Sequence, residues 1–108
     1  MSPDRVFLPL LPITIPIHNI IAFCEQNPIQ KLSLFGSILR KDFTSESDID
    51  MLVEFLPEAK IGYFKLVTLQ IDLSAILGRE VDLRTLQELS PYFRQHVIET
   101  AVTIYEHR

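Results

Sequence analysis

A chain of 108 residues with a net charge of −4, 47% hydrophobic and 22% charged, suits one folded domain around one core and excludes both a disordered chain and a second lobe. The acidic balance argues against direct nucleic-acid binding, which ordinarily calls for a basic face. The lone Cys24 excludes an internal disulfide or a multi-cysteine zinc site, and makes a reducing cytoplasm the simplest setting.

Residues 1–13 read as the N-terminal arm of a single domain spanning 1–108. Val6 to Ile17 is apolar but carries Pro9, Pro12 and Pro16, lacks a basic leader and is too short to span a bilayer, so neither a signal peptide nor a membrane span is expected. Thr14 with Pro16 opens a helix in which Ile17, Ile20, Ile21 and Cys24 recur at i, i+3, i+4 and i+7, and which ends near Asn27-Pro28. Lys31 to Phe35 alternates polar and apolar up to Gly36, a strand followed by a turn. Ile49 to Phe55 is an apolar-rich strand suited to a sheet interior, stopped by Pro57.

Leu66, Val67, Leu69, Leu73, Ile76 and Leu77 form one broad helical face that ends at Gly78. Glu80 to Arg84 is a short strand with Glu80, Asp82 and Arg84 on one face and Val81 and Leu83 on the other. Ser90 and Pro91 cap and start a last helix, with Phe93, Val97, Ile98 and Ala101 as its buried stripe, and Val102 to Tyr105 finishes as an edge strand. Tyr63, Phe64, Tyr92 and Phe93 read as packing residues, one of them a candidate cover for an adenine ring. The alternation predicts an α/β (α+β) fold, a small mixed sheet flanked by helices.

Chemistry concentrates in "LFGSILRKDFTSESDIDMLVEF", residues 34 to 55. Asp48 and Asp50 stand two apart and so share a face of an extended chain, where their oxygens can bridge a hard cation such as Mg²⁺; a solvated strand end is the competing reading. A calcium loop fails, because Met51, Leu52 and Val53 supply neither oxygen ligands nor the required glycine. Gly36 lets the backbone approach a ligand, and Ser37, opening a short helix through Arg40, offers N–H groups and a hydroxyl to a phosphate; alone, such a turn is ordinarily structural. Asp82 either joins the first two carboxylates, giving three around two metals with Asp82 free to accept a proton, or pairs with Arg79 or Arg84. No two of His18, His96 and His107 stand at helical ligand spacing, so no catalytic histidine is expected. Lys65, Arg79, Arg84 and Arg94 are candidates for a phosphate-facing or partner-facing patch.

Gly36-Ser37, ten intervening residues, Asp48-Ile49-Asp50 and a later Asp82 in "EVDLRT" together resemble the minimal nucleotidyltransferases of the DNA polymerase beta superfamily, over nearly the whole chain. The resemblance implies that Asp48, Asp50 and Asp82 are catalytic and hold two Mg²⁺ ions, and that Gly36 and Ser37 contact the phosphates of ATP. Many members carry a second glycine where Lys41 stands; here Lys41 and Arg40 offer cations to the phosphates instead. Members of this size resemble the antitoxin halves of two-gene modules whose partner is a HEPN-type (higher eukaryotes and prokaryotes nucleotide-binding) ribonuclease toxin. That implies transfer of AMP from ATP to a tyrosine hydroxyl of the toxin. The alternative is an inactive nucleotide-binding antitoxin that neutralises its partner by complex formation alone.

Overall fold

The computed structural model of the chain describes residues 11–107. The arm expected over residues 1–13 therefore falls outside the described residues, apart from its last three positions. Helix α1 (Ile17–Glu25) follows Pro16 and buries Ile20, Ile21, Phe23 and Cys24. It stops where the Asn27 side chain donates to the Phe23 carbonyl at 2.8 Å, satisfying an acceptor that no further helical turn supplies. Strand β1 (Ile29–Phe35) begins two residues earlier than the alternation suggested, because Ile29 already pairs with Phe55 across an irregularity between Ile29 and Lys31. A single 3-10 turn, Gly36–Leu39, and a loop then lead to β2 (Ile49–Phe55).

Helix α2 (Tyr63–Leu77) ends at Gly78, which takes the left-handed conformation at φ 67°, and β3 (Val81–Arg84) follows. Helix α3 (Pro91–Thr100) starts at Ser90, whose hydroxyl accepts from the Phe93 N–H, and β4 (Val102–Glu106) closes the described chain. The sheet order is β3-β2-β1-β4. β1 is antiparallel to both β2 and β4, whereas β2 and β3 run parallel, so the chain needs the α2 crossover to return to the same end of the sheet.

Strand alternation divides the core in two. Leu32, Leu34, Ile49, Met51, Val53, Val81, Leu83 and Ile104 face α1 and α2, where Leu69 and Leu73 are fully buried. The opposite face has only a small cluster of Phe35, Leu52, Leu89 and Val97 under α3. That small cluster corrects the expected α3 stripe. Val97 is buried, but Phe93 is 43% exposed and Ile98 53%, since a short helix that sets Val97 on three core residues covers little. Tyr63, Phe64 and Tyr92, expected to pack, are 74%, 85% and 90% exposed, because nothing in the described chain lies against those sides of α2 and α3. Among the described residues, no helix is long and apolar enough to cross a membrane.

Candidate active site

The end of β1 determines the local geometry. Gly36 takes φ +78°, and a Cβ there would overlap Asp50 Oδ2 and stand 3.1 Å from Asp50 Cγ. Glycine thus lets the Asp50 carboxylate lie directly against the backbone of the turn. Ile38 is buried and anchors the turn, and the Arg40 N–H closes it onto the Ser37 carbonyl at 2.9 Å. In the structure the backbone of this turn lies against the Asp50 carboxylate.

Parallel pairing of β2 with β3 puts Asp50 directly across from Asp82. Both project from the sheet face that α3 only partly covers, while their neighbours Ile49, Met51, Val81 and Leu83 are buried on the other. Asp48 is exposed at the entrance to β2. Burial pushes the Asp50 carboxyl above its ordinary range, and the like charges of Asp82 and Asp48 push it further; the Ser37 hydrogen bond and the Arg40 charge offset part of this. Asp50 therefore feels both other carboxylates, Asp82 across the strand pair and Asp48 at the entrance to its own strand.

The cations distribute differently from the expected patch. Arg84 grips both oxygens of Asp82, Nε to Oδ1 at 3.0 Å and Nη2 to Oδ2 at 3.3 Å, and the carboxylate raises the guanidinium pKa in return. Arg79 instead donates to the Thr44 carbonyl at 2.8 Å and the Ser47 carbonyl at 3.1 Å, with its guanidinium 4.6 Å from the Phe43 ring centroid. It pins the loop that delivers Asp48. No local pattern points to that role, because the partners lie 35 and 32 residues away in sequence. Arg94 donates to the Leu86 and Leu89 carbonyls and ties α3 to the preceding segment. Arg40 pairs with exposed Asp42 at 3.3 Å, and Lys41 is exposed with no ion pair among the described residues.

Beside the carboxylates opens a cleft of about 330 Å³, lined by Phe35, Asp50, Asp82, Arg84, Glu88, Leu89, Ser90 and Phe93. Among the described residues, no three histidine, cysteine, aspartate or glutamate side chains are placed so that they could together hold a metal ion. The donor set nevertheless fits a hard divalent ion. It is all carboxylate oxygen, and the crowding that raises Asp50 is what a cation between these groups would relieve.

The family described as "Polymerase beta, Nucleotidyltransferase" matches residues 18–108. "Putative protein adenylyltransferase MJ0435" of Methanocaldococcus jannaschii is 35% identical over 87 residues, covering 81% of this chain and 91% of the relative. Protein adenylyltransferase MntA of Thermococcus cleftensis is 30% identical over 80 residues, covering 74% of this chain and 79% of that protein. Among solved structures, a toxin-antitoxin crystal structure with AMP-PNP superposes with a TM-score of 0.70 at 24% identity, over 87% of this chain and 76% of the other, a likeness of fold. A complex of tri-AMPylated Shewanella oneidensis HEPN toxin with MNT antitoxin gives 0.61 at 25% identity, over 84% and 70%.

Proposed function

The chain belongs to the polymerase beta nucleotidyltransferase family, and on that premise we propose that it is a protein adenylyltransferase that moves AMP from ATP to a tyrosine hydroxyl of a HEPN-type toxin, acting as its antitoxin. The observation that carries this reading is the placement of Asp50 against the Gly36-Ser37 turn and in register with Asp82. The names of the relatives support protein as acceptor, and the complex with an AMPylated HEPN toxin supports the partner class.

In this reading Asp48, Asp50 and Asp82 hold Mg²⁺, which when bound neutralises the triphosphate and eases ionisation of the attacking hydroxyl. Gly36 and Ser37 hold the triphosphate against the backbone, and Arg40 and Lys41 add positive charge at its outer end. Asp82 accepts the hydroxyl proton. Most of the barrier reduction then comes from positioning and charge neutralisation by groups fixed in advance.

The Arg84 contact to Asp82 favours a second reading, in which a closed site leaves the protein to neutralise its toxin by contact alone. Incubation with α-labelled ATP, Mg²⁺ and a purified HEPN-type toxin separates the two. Label on the partner supports the transferase; a tight complex without label supports the binder. Asp50→Asn is expected to reduce labelling by at least about a hundredfold while leaving the thermal midpoint unchanged or higher. The sign follows from the carboxyl: its folded pKa lies above the unfolded 3.8, so the stability it contributes is full below that value and lost as pH rises through the folded pKa. Removing the charge at neutral pH restores it.

A further inference from the structure

Strand β3 carries Asp82 and, among the described residues, has a neighbouring strand on one side only. The Ile49 N–H donates to the Glu80 carbonyl at 2.9 Å, so residue 80, and by alternation residues 82 and 84, turn their main-chain groups towards β2. The N–H groups of Val81 and Leu83 therefore point the other way, off the edge of the sheet, where a donor without a partner is costly.

Two side chains of α2 meet them. The Leu83 N–H donates to Gln70 Oε1 at 2.8 Å and the Val81 N–H to Ser74 Oγ at 3.0 Å. The Ser74 hydroxyl in turn donates to the Gln70 carbonyl at 2.9 Å, which fixes the direction of its lone pairs. Gln70 and Ser74 stand one turn apart on a common helix face, next to Leu69 and Leu73, which are fully buried and seat α2 on the deep core. The two bonds thus bracket Asp82, one residue to either side, and tie its strand to the best-packed part of the molecule.

Arg84 cannot supply this restraint. It grips the Asp82 carboxylate from within β3 and travels with the strand, whereas Asp50 sits on β2 and a shared oxygen site requires the two carboxylates to keep their spacing. We infer that Gln70 and Ser74 are positioning residues, which hold β3 from its outer edge so that Asp82 stays in register with Asp50. This rests on the transferase reading above. Neither side chain lines the cleft beside the carboxylates, so both act through Asp82.

The test uses the double variant Gln70→Met, Ser74→Ala, which removes both acceptors and keeps good helix formers. In hydrogen exchange the amides of Asp82 and Arg84, which face β2 and lose no partner themselves, are expected to exchange at least about tenfold faster. Well below the melting midpoint, with a purified HEPN-type toxin and Mg²⁺ saturating, kcat for AMP transfer is expected to fall about tenfold while KM for ATP stays within about twofold, since the Gly36-Ser37 turn follows β1 and not β3. The single variants, each keeping one bond, are expected to fall in between, and they carry the test if the double variant does not fold. Ser74→Thr keeps the hydroxyl and is expected to transfer as the wild type does. Ile20→Val removes a buried methyl group from α1, lowers the melting midpoint without touching β3, and is expected to leave kcat unchanged. Unchanged exchange at residues 82 and 84, an unchanged kcat in the folded variants, or a loss of transfer that Ile20→Val reproduces overturns the inference while the transferase reading stands. A wild-type protein that transfers no label overturns that reading, and the inference falls with it.

Discussion

Gly36 shows how much chemistry one absent methyl group permits. Alanine there meets two obstacles, a left-handed φ of +78° and the Asp50 carboxylate in the space a Cβ needs. Gly36→Ala is expected to cost about 1–3 kcal/mol in chemical denaturation and to displace Asp50, so that AMP transfer falls as well. Gly78→Ala separates the two obstacles. Gly78 has φ +67° with nothing within 4 Å of its would-be Cβ, so this variant is expected to lose about 1 kcal/mol with transfer intact. At this scale much of the candidate site was legible, because the features are local: a strand-ending Gly-Ser and an Asp-x-Asp on one strand face. The engagement of Asp82 by Arg84 followed the same two-residue rule and stood among the alternatives. What the chain alone could not disclose is that the Asp50 carboxylate comes to rest against the Gly36 backbone, since that contact joins the turn to the following strand.

Among the elements, the loop between the 3-10 turn and β2 depends on an anchor outside itself. Thr44 and Ser47 bond each other at 3.0 Å, and Arg79, just past α2, fastens both of their carbonyls. Arg79→Ala is expected to speed amide exchange across residues 44–48 and to reduce AMP transfer about tenfold, with the melting midpoint little changed, because the loss falls on the placement of Asp48 and not on the core. Unchanged exchange in that loop would refute the anchoring role. The succession of helices and strands was readable from periodicity: α1 and the strands occur where the pattern put them to within two residues, and α2 begins at Tyr63, a turn before the face that opened at Leu66. The exposure of α3 was not readable. Phe93, Val97, Ile98 and Ala101 are spaced as a buried stripe, but how much of a stripe is covered depends on how wide a core the sheet offers beneath it, which no window of sequence contains.

Taken whole, the molecule is lopsided: a deep core on the α1–α2 side and a thin one on the side that carries the carboxylates. Stability should follow the deep side. Leu73→Ala, fully buried, is expected to cost about 2–5 kcal/mol in denaturant titration, and Ile98→Ala, more than half exposed, no more than about 0.5 kcal/mol. One carboxylate on the thin side, Asp82, belongs to β3, which has four residues and, among the described residues, is the shortest strand of the sheet and sits at its margin. Among the described residues only β2 flanks it in the ladder, so it is the element best placed to peel away first on warming. A protein built this way can forfeit competence through fraying at one border while its bulk remains assembled, and heat inactivation would then precede any loss of overall helical signal.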